Sequence, residues 1–146
     1  MRFFPSVIDR EQSRALIERT EKSFSENGFG LWAVEEQSSS EFIGFVGLSS
    51  PRFETAFTPC VEVGWRLAQK FWGKGYAQEA ARAAMDDGFQ RLGLAEIVSF
   101  TATLNKPSIK VMERLGMQRD FNNDFMHPNL AADSPLALHV LYRLQR

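Results

Sequence analysis

Two short stretches hold the residues whose types and spacing could do chemistry. The first is Trp72-Gly73-Lys74-Gly75-Tyr76-Ala77, set between an apolar run at 61–67 and a long alanine-rich segment. Glycines at such a corner let the backbone turn sharply, so that several N–H groups converge where a helix begins and its dipole favours an anion. The stretch reads as a seat for a pyrophosphate, although a glycine-lysine-glycine turn also suits any corner between a strand and a helix. The second stretch is Asn105-Lys106-Pro107-Ser108, another such corner, followed by Val111-Met112-Glu113-Arg114-Leu115-Gly116-Met117. The run before the first corner carries Glu62 beside apolar partners.

The elements that must position these residues follow from hydrophobic periodicity. Asp9 and Gln12 have the form of a capping box, and Ala15, Leu16, Ile17, Thr20 and Phe24 make the less polar stripe of a helix over 10–26, stopped by Gly28. Apolar runs at 29–35 and 41–49, joined by Gln37-Ser38-Ser39-Ser40, predict a hairpin, and 61–67 predicts a third strand. Residues 50–59 show no period and form a loop, whose Phe53 and Phe57 either line a pocket or anchor it on the core. Ala77, Ala80, Ala81, Ala84, Met85, Phe89 and Leu92 recur at helical spacing over 76–92. A strand at 96–103 follows, and a right-handed crossover should join it to the third strand. Asn105 suits the N-cap of a helix with Pro107 in its first turn and Gly116 at its end. Short strands are expected at 117–119 and 140–144, with an irregular excursion over 122–138.

Composition narrows the classes. At 146 residues the chain reads as one domain over 1–146, large enough for a core without staples. Hydrophobic residues make up 44% and charged residues 24%, the balance of a folded globular protein. A net charge of −1 with interspersed signs argues against a nucleic-acid partner, so an anionic ligand must be held by local geometry. The lone Cys60 allows no internal disulfide and reads as a small buried hydrophobe. No apolar run approaches the roughly 20 residues of a membrane span. Met1-Arg2-Phe3-Phe4-Pro5 does not begin a signal-peptide core. These readings predict a cytoplasmic protein without a membrane partner.

The two corners together resemble the GNAT superfamily of acyl-CoA-dependent N-acyltransferases. The branch most similar is the ribosomal-protein N-terminal acetyltransferase, or RimJ/RimL-like, type. Its first corner has the form Q/R-x-x-G-x-G/A; here Trp72 stands in the first slot, Gly75 and Ala77 in the others. The resemblance implies an α+β fold, with a mixed, mostly antiparallel central sheet flanked by helices. It implies acetyl-CoA as co-substrate, its pyrophosphate on the N–H groups of Gly73, Lys74, Gly75, Tyr76 and Ala77. It also places the pantetheine arm beside the backbone of Trp65, Arg66 and Leu67. Asn105 and Ser108 match the second corner, near the pantetheine and the sulfur. Many relatives place a tyrosine acid four residues after that serine; here the position is Met112, which leaves Ser108 as the motif-matched hydroxyl. Glu62 occupies a place where this branch often has Glu, and is the candidate general base.

The implied reaction is acetyl transfer to a primary amine, a protein N-terminus or a small molecule. The alternative is a non-catalytic acyl-CoA-binding module, favoured by Met112 and by the lack of the strand and helix with which a typical member begins. A sheet edge left uncovered there invites a homodimer. Loops 50–60 and 120–138 should set acceptor identity. His127 or His139 could titrate near neutrality, but neither has a Cys or carboxylate partner at ligand spacing, so no metal is expected. Gln78 at the third glycine position argues against a Rossmann module, and no P-loop string exists.

Overall fold

The structure, a computed structural model, describes residues 10–146. The Asp9 cap and the segment Met1 to Pro5 lie outside them. The elements run α1 (Arg10–Asn27), β1 (Leu31–Glu36), β2 (Glu41–Ser49), β3 (Glu62–Leu67), a 3-10 turn (Gln69–Phe71), α2 (Tyr76–Gln90), β4 (Glu96–Ala102), α3 (Lys106–Arg114), β5 (Gln118–Arg119), β6 (Phe125–Met126) and β7 (Leu138–Gln145).

One seven-stranded sheet has the order β1-β2-β3-β4-β7-β5, with β6 also on β7. Every pairing is antiparallel except β3 with β4, which are joined through α2. The fold is therefore α+β with a mixed, mostly antiparallel sheet, as the sequence implies. Two elements went unread: the 3-10 turn, and β6 within the excursion.

The alanine stripe of α2 lets that helix lie close on the sheet. Ala81, Ala84 and Met85 are buried against a core that includes Val46, Val63 and Ile97. Gly88 sits at the tightest approach, where a Cβ would come within 3.0 Å of both Ile97 Cδ1 and Leu48 Cδ1. The stripe expected on α1 is less buried than its pattern suggests, for no residue of this helix is fully buried. Leu16, Thr20 and Ser23 are half-buried, while Ile17 is 48% and Phe24 37% exposed. The described contacts of this helix lie at the turn into β1, where Phe24 packs over Gly30 and the Ser23 hydroxyl donates to Phe29 O (2.5 Å).

Candidate active site

The first glycine corner has the backbone geometry that could seat an anion. Gly73 has φ 76° and Gly75 φ 81°, a left-handed conformation that disfavours any side chain. A Cβ at either position would meet nothing within 4 Å, so the concave side is open. The first backbone bond of the helix runs from Glu79 N to Gly75 O (3.0 Å), and the N–H groups from Gly73 through Gln78 donate to no described acceptor. Unpaired N–H groups at a helix start are what a phosphate needs. Two aromatic residues of the motif hold the corner: Trp72 Nε1 donates to Leu67 O (2.8 Å), and Tyr76 OH to Glu36 Oε2 (2.6 Å). Lys74 is exposed, its ammonium 5.5 Å from the Phe71 ring centroid, beside the seat and outside its lining. From α3, Lys110 and Arg114 line the same cavity, of about 330 Å³.

The sheet opens in its middle. Strands β3 and β4 share a single registered pair, Glu62 with Val98, and then diverge. Val98 N donates to Val61 O (2.9 Å), and the Ser99 hydroxyl donates to Val63 O (2.9 Å), so odd-numbered residues of β3 turn their backbone groups toward β4. By the alternation of a strand, Trp65 and Leu67 face the gap in the same way, while Arg66 pairs back onto Phe45 of β2. Leu67 O is taken by the Trp72 indole. That leaves Trp65 N–H and C=O and Leu67 N–H unused along the gap.

The cavity at the glycine corner and a second one, of about 480 Å³, meet through this gap, sharing Trp65, Arg66, Asn105 and Ser108. Asn105 caps α3, its Oδ1 accepting from Ser108 N (3.3 Å), and its Nδ2 donates to Thr101 Oγ1 (3.0 Å). Trp65 Nε1 donates to Ser108 Oγ (3.1 Å). The serine hydroxyl is thus an acceptor toward the indole and keeps its own proton to give. Met112, 1% exposed, lines the second cavity from α3 and brings no hydroxyl.

Glu62 lines the second cavity on the face of β3 that it shares with Gly64 and Arg66. Burial raises its carboxyl from an ordinary 4.5 to about 8, against a hydrogen bond from Ser49 Oγ (3.3 Å) that lowers it. Its partner is thus Ser49, from the adjoining β2, and not Arg52 or Arg66. Between Glu62 and Arg66, Gly64 offers no side chain, and a Cβ there would meet nothing within 4 Å, so the way to the carboxylate is clear.

The far wall is aromatic. Phe53, Phe100, Phe125, His127 and His139 stack at centroid distances such as 5.6 Å (Phe53–Phe100) and 5.0 Å (His127–His139). Phe57 is buried beneath them with Val98 and Leu141. Loop 50–59 therefore does both things expected of it: Phe57 anchors, and Phe53 lines a side cavity with His127. Neither histidine is a charge store. His139 Nδ1 faces Ala137 O (3.1 Å) and burial drives its ring down to about 4; His127 Nδ1 accepts from Asn129 N (3.1 Å) and is also lowered by burial.

Every site candidate read from the sequence lines or flanks these two cavities. Ser49 went unread, as did the place of Phe100 in the cavity wall and the side-chain contact of Trp65, because contacts between distant elements leave no local signature. Lys110 and Arg114 could have been found from their i, i+4 spacing on one face of α3.

Comparison with known proteins agrees with this geometry. The family model described as an acetyltransferase (GNAT) domain matches residues 1–118. The uncharacterised protein YkkB of Bacillus subtilis is 32% identical over 117 residues, 80% of this chain and 67% of that protein. The FsC-acetyl coenzyme A-N(2)-transacetylase of Aspergillus fumigatus is 40% identical over 94 residues, 62% of this chain and 39% of that protein. The crystal structure of an acetyltransferase from Agrobacterium tumefaciens superposes with a TM-score of 0.72 at 27% identity, covering 95% of this chain and 74% of that one. With the family model spanning most of its length and the same fold in a solved relative, this chain belongs to the GNAT acetyltransferases.

Proposed function

We propose that the chain, acting as one domain over 1–146, transfers an acetyl group from acetyl-CoA to a primary amine. The observation that carries this reading is the junction: an open glycine corner and a cavity lined by the half-buried Glu62 carboxylate meet at Ser108, through a gap edged by backbone groups without a described partner. The N–H groups of Gly73 to Ala77 receive the pyrophosphate, with Lys74, Lys110 and Arg114 offsetting its charge. Trp65 and Leu67 offer the pantetheine amides the pairing that an added strand would receive. Glu62 takes a proton from the ammonium of the acceptor, directly or through water. The freed amine attacks the thioester carbonyl, its nitrogen gives up a second proton to water, the C–S bond breaks, and the thiolate takes a proton from water or from Ser108, whose hydroxyl water then reprotonates. A carboxyl raised to about 8 is matched to that task near neutral pH.

The acceptor amine belongs to a small molecule or to a protein N-terminus, the latter following from the RimJ/RimL-like resemblance. The described residues include no helix long and apolar enough to cross a membrane. Met112 in place of a hydroxyl favours one second reading, a module that binds acyl-CoA without turnover. Calorimetric titration with acetyl-CoA, followed by thiol release over a panel of amines and N-terminal peptides, separates the two. Binding with release on an acceptor establishes the enzyme; binding without release on any acceptor supports the module; no binding overturns both.

A further inference from the structure

The charges around the acceptor cavity are unevenly matched. Where the cavity continues toward the surface, a shallow extension of about 470 Å³ shares Glu62, Phe100 and His127 with it and adds Arg19 from α1 and Arg52 from the loop after β2. Both arginines are exposed, and neither forms an ion pair with any described residue. The two imidazoles are neutral, so they add no charge of either sign. Among the described residues that line the cavity and its extension, Glu62 is the one carboxylate, set against Arg19 and Arg52.

This arrangement suits a ligand with one ammonium group for Glu62 and one acidic group for the arginines. A polyamine fares badly, because its second ammonium would find no further carboxylate among the described lining residues and would face guanidinium groups. Guanidinium binds carboxylate or phosphate through paired N–H donors, and the aromatic wall accepts an apolar body between the two ends. Resting on the acetyl-transfer reading above, we propose that the acceptor is a primary amine that also carries an acidic group, bound with its amine at Glu62 and its acid at Arg19 and Arg52.

The test compares amines that differ by that group alone. Phenylalanine and 4-(2-aminoethyl)benzoate carry a carboxylate at two spacings, phenethylamine lacks it, and spermidine replaces it with further amines. Thiol release from acetyl-CoA gives kcat/KM for each, and titration of the complex with CoA gives the affinity of each without turnover. At least one carboxylated amine should exceed phenethylamine about tenfold in affinity and in kcat/KM, the scale of a charged hydrogen bond. R19Q/R52Q, at two exposed positions, should abolish that preference and leave phenethylamine unchanged. Preference for phenethylamine or spermidine, or an advantage that survives in R19Q/R52Q, overturns the proposal. Absence of thiol release on every amine counts against the acetyl-transfer reading, and the affinities still decide this one.

Discussion

Glu62→Gln is the substitution whose effects on stability and on rate should run in opposite directions. Burial raises this carboxyl from 4.5 to about 8, so between those pH values the folded chain holds a proton that the unfolded chain releases. The folded state then binds more protons, and stability falls as pH rises through that window. Below it both states are protonated and nothing is lost; above it both are ionised and the whole penalty stands. At about 1.4 kcal/mol for each tenfold change in proton affinity, the penalty reaches an upper bound of about 5 kcal/mol. Glutamine keeps an oxygen for the Ser49 hydroxyl and never ionises. The variant should therefore match the native chain at pH 4.5 and exceed it at pH 8.5, by up to about 10–15 °C in Tm for a domain of this size. Asp120 and Glu36, whose carboxyls are lowered by hydrogen bonds from Asn123 and Tyr76, titrate alike in both proteins and cancel in the comparison. Circular dichroism melts at pH 4.5, 7 and 8.5 give the first measurement. The pH dependence of kcat/KM for acetyl transfer gives the second, with a limb rising through about 8 in the native chain and absent in the variant. Parallel melting curves would refute the buried, ionisable carboxylate. A stability difference without loss of that limb would refute its role as base.

Two further substitutions test the donor side. Gly75→Ala places a Cβ against no protein atom but in a backbone with φ 81°, costing about 1–2 kcal/mol of stability, and it fills the seat. Calorimetry should show acetyl-CoA affinity down about tenfold or more, and an unchanged affinity would remove the anion seat from Gly73–Ala77. Ser108→Ala strips the Trp65 indole of its acceptor and the junction of its hydroxyl, so kcat should fall while the KM for acetyl-CoA moves little. Steady-state kinetics with an acetyl donor of more acidic thiol should recover much of the loss; an equal loss with both donors would mean that Ser108 does not protonate the leaving group.

How much of this could be read from the chain depends on whether the cause is local. Strand β2 and the start of α2 follow from alternation and from a glycine corner, and both lie where the sequence places them. The Asn105 cap is equally local, a side chain three residues from its N–H partner. Glu62 illustrates the limit. Its chemistry is legible, but its direction depends on the register of β3 against β2, which sets Ser49 opposite Glu62. Strand β6 is two residues long and exists only because β7 passes beside it, so no periodicity announces it. The α1 stripe errs the other way: the pattern is present, yet no residue of this helix joins the apolar core of the described residues.

The opening between β3 and β4 bears on how this sheet avoids company. Unused strand edges commonly recruit further strands and lead to aggregation, and outer edges need charges or covers to prevent it. Here the idle groups of Trp65 and Leu67 face inward, in a slot bounded by the Trp65 indole and α3. A foreign strand, with side chains on both faces, would have to displace that indole; the slender, nearly unsubstituted amide chain of the proposed donor asks for less room. The shape that would admit such a ligand is thus also what shields this interior edge.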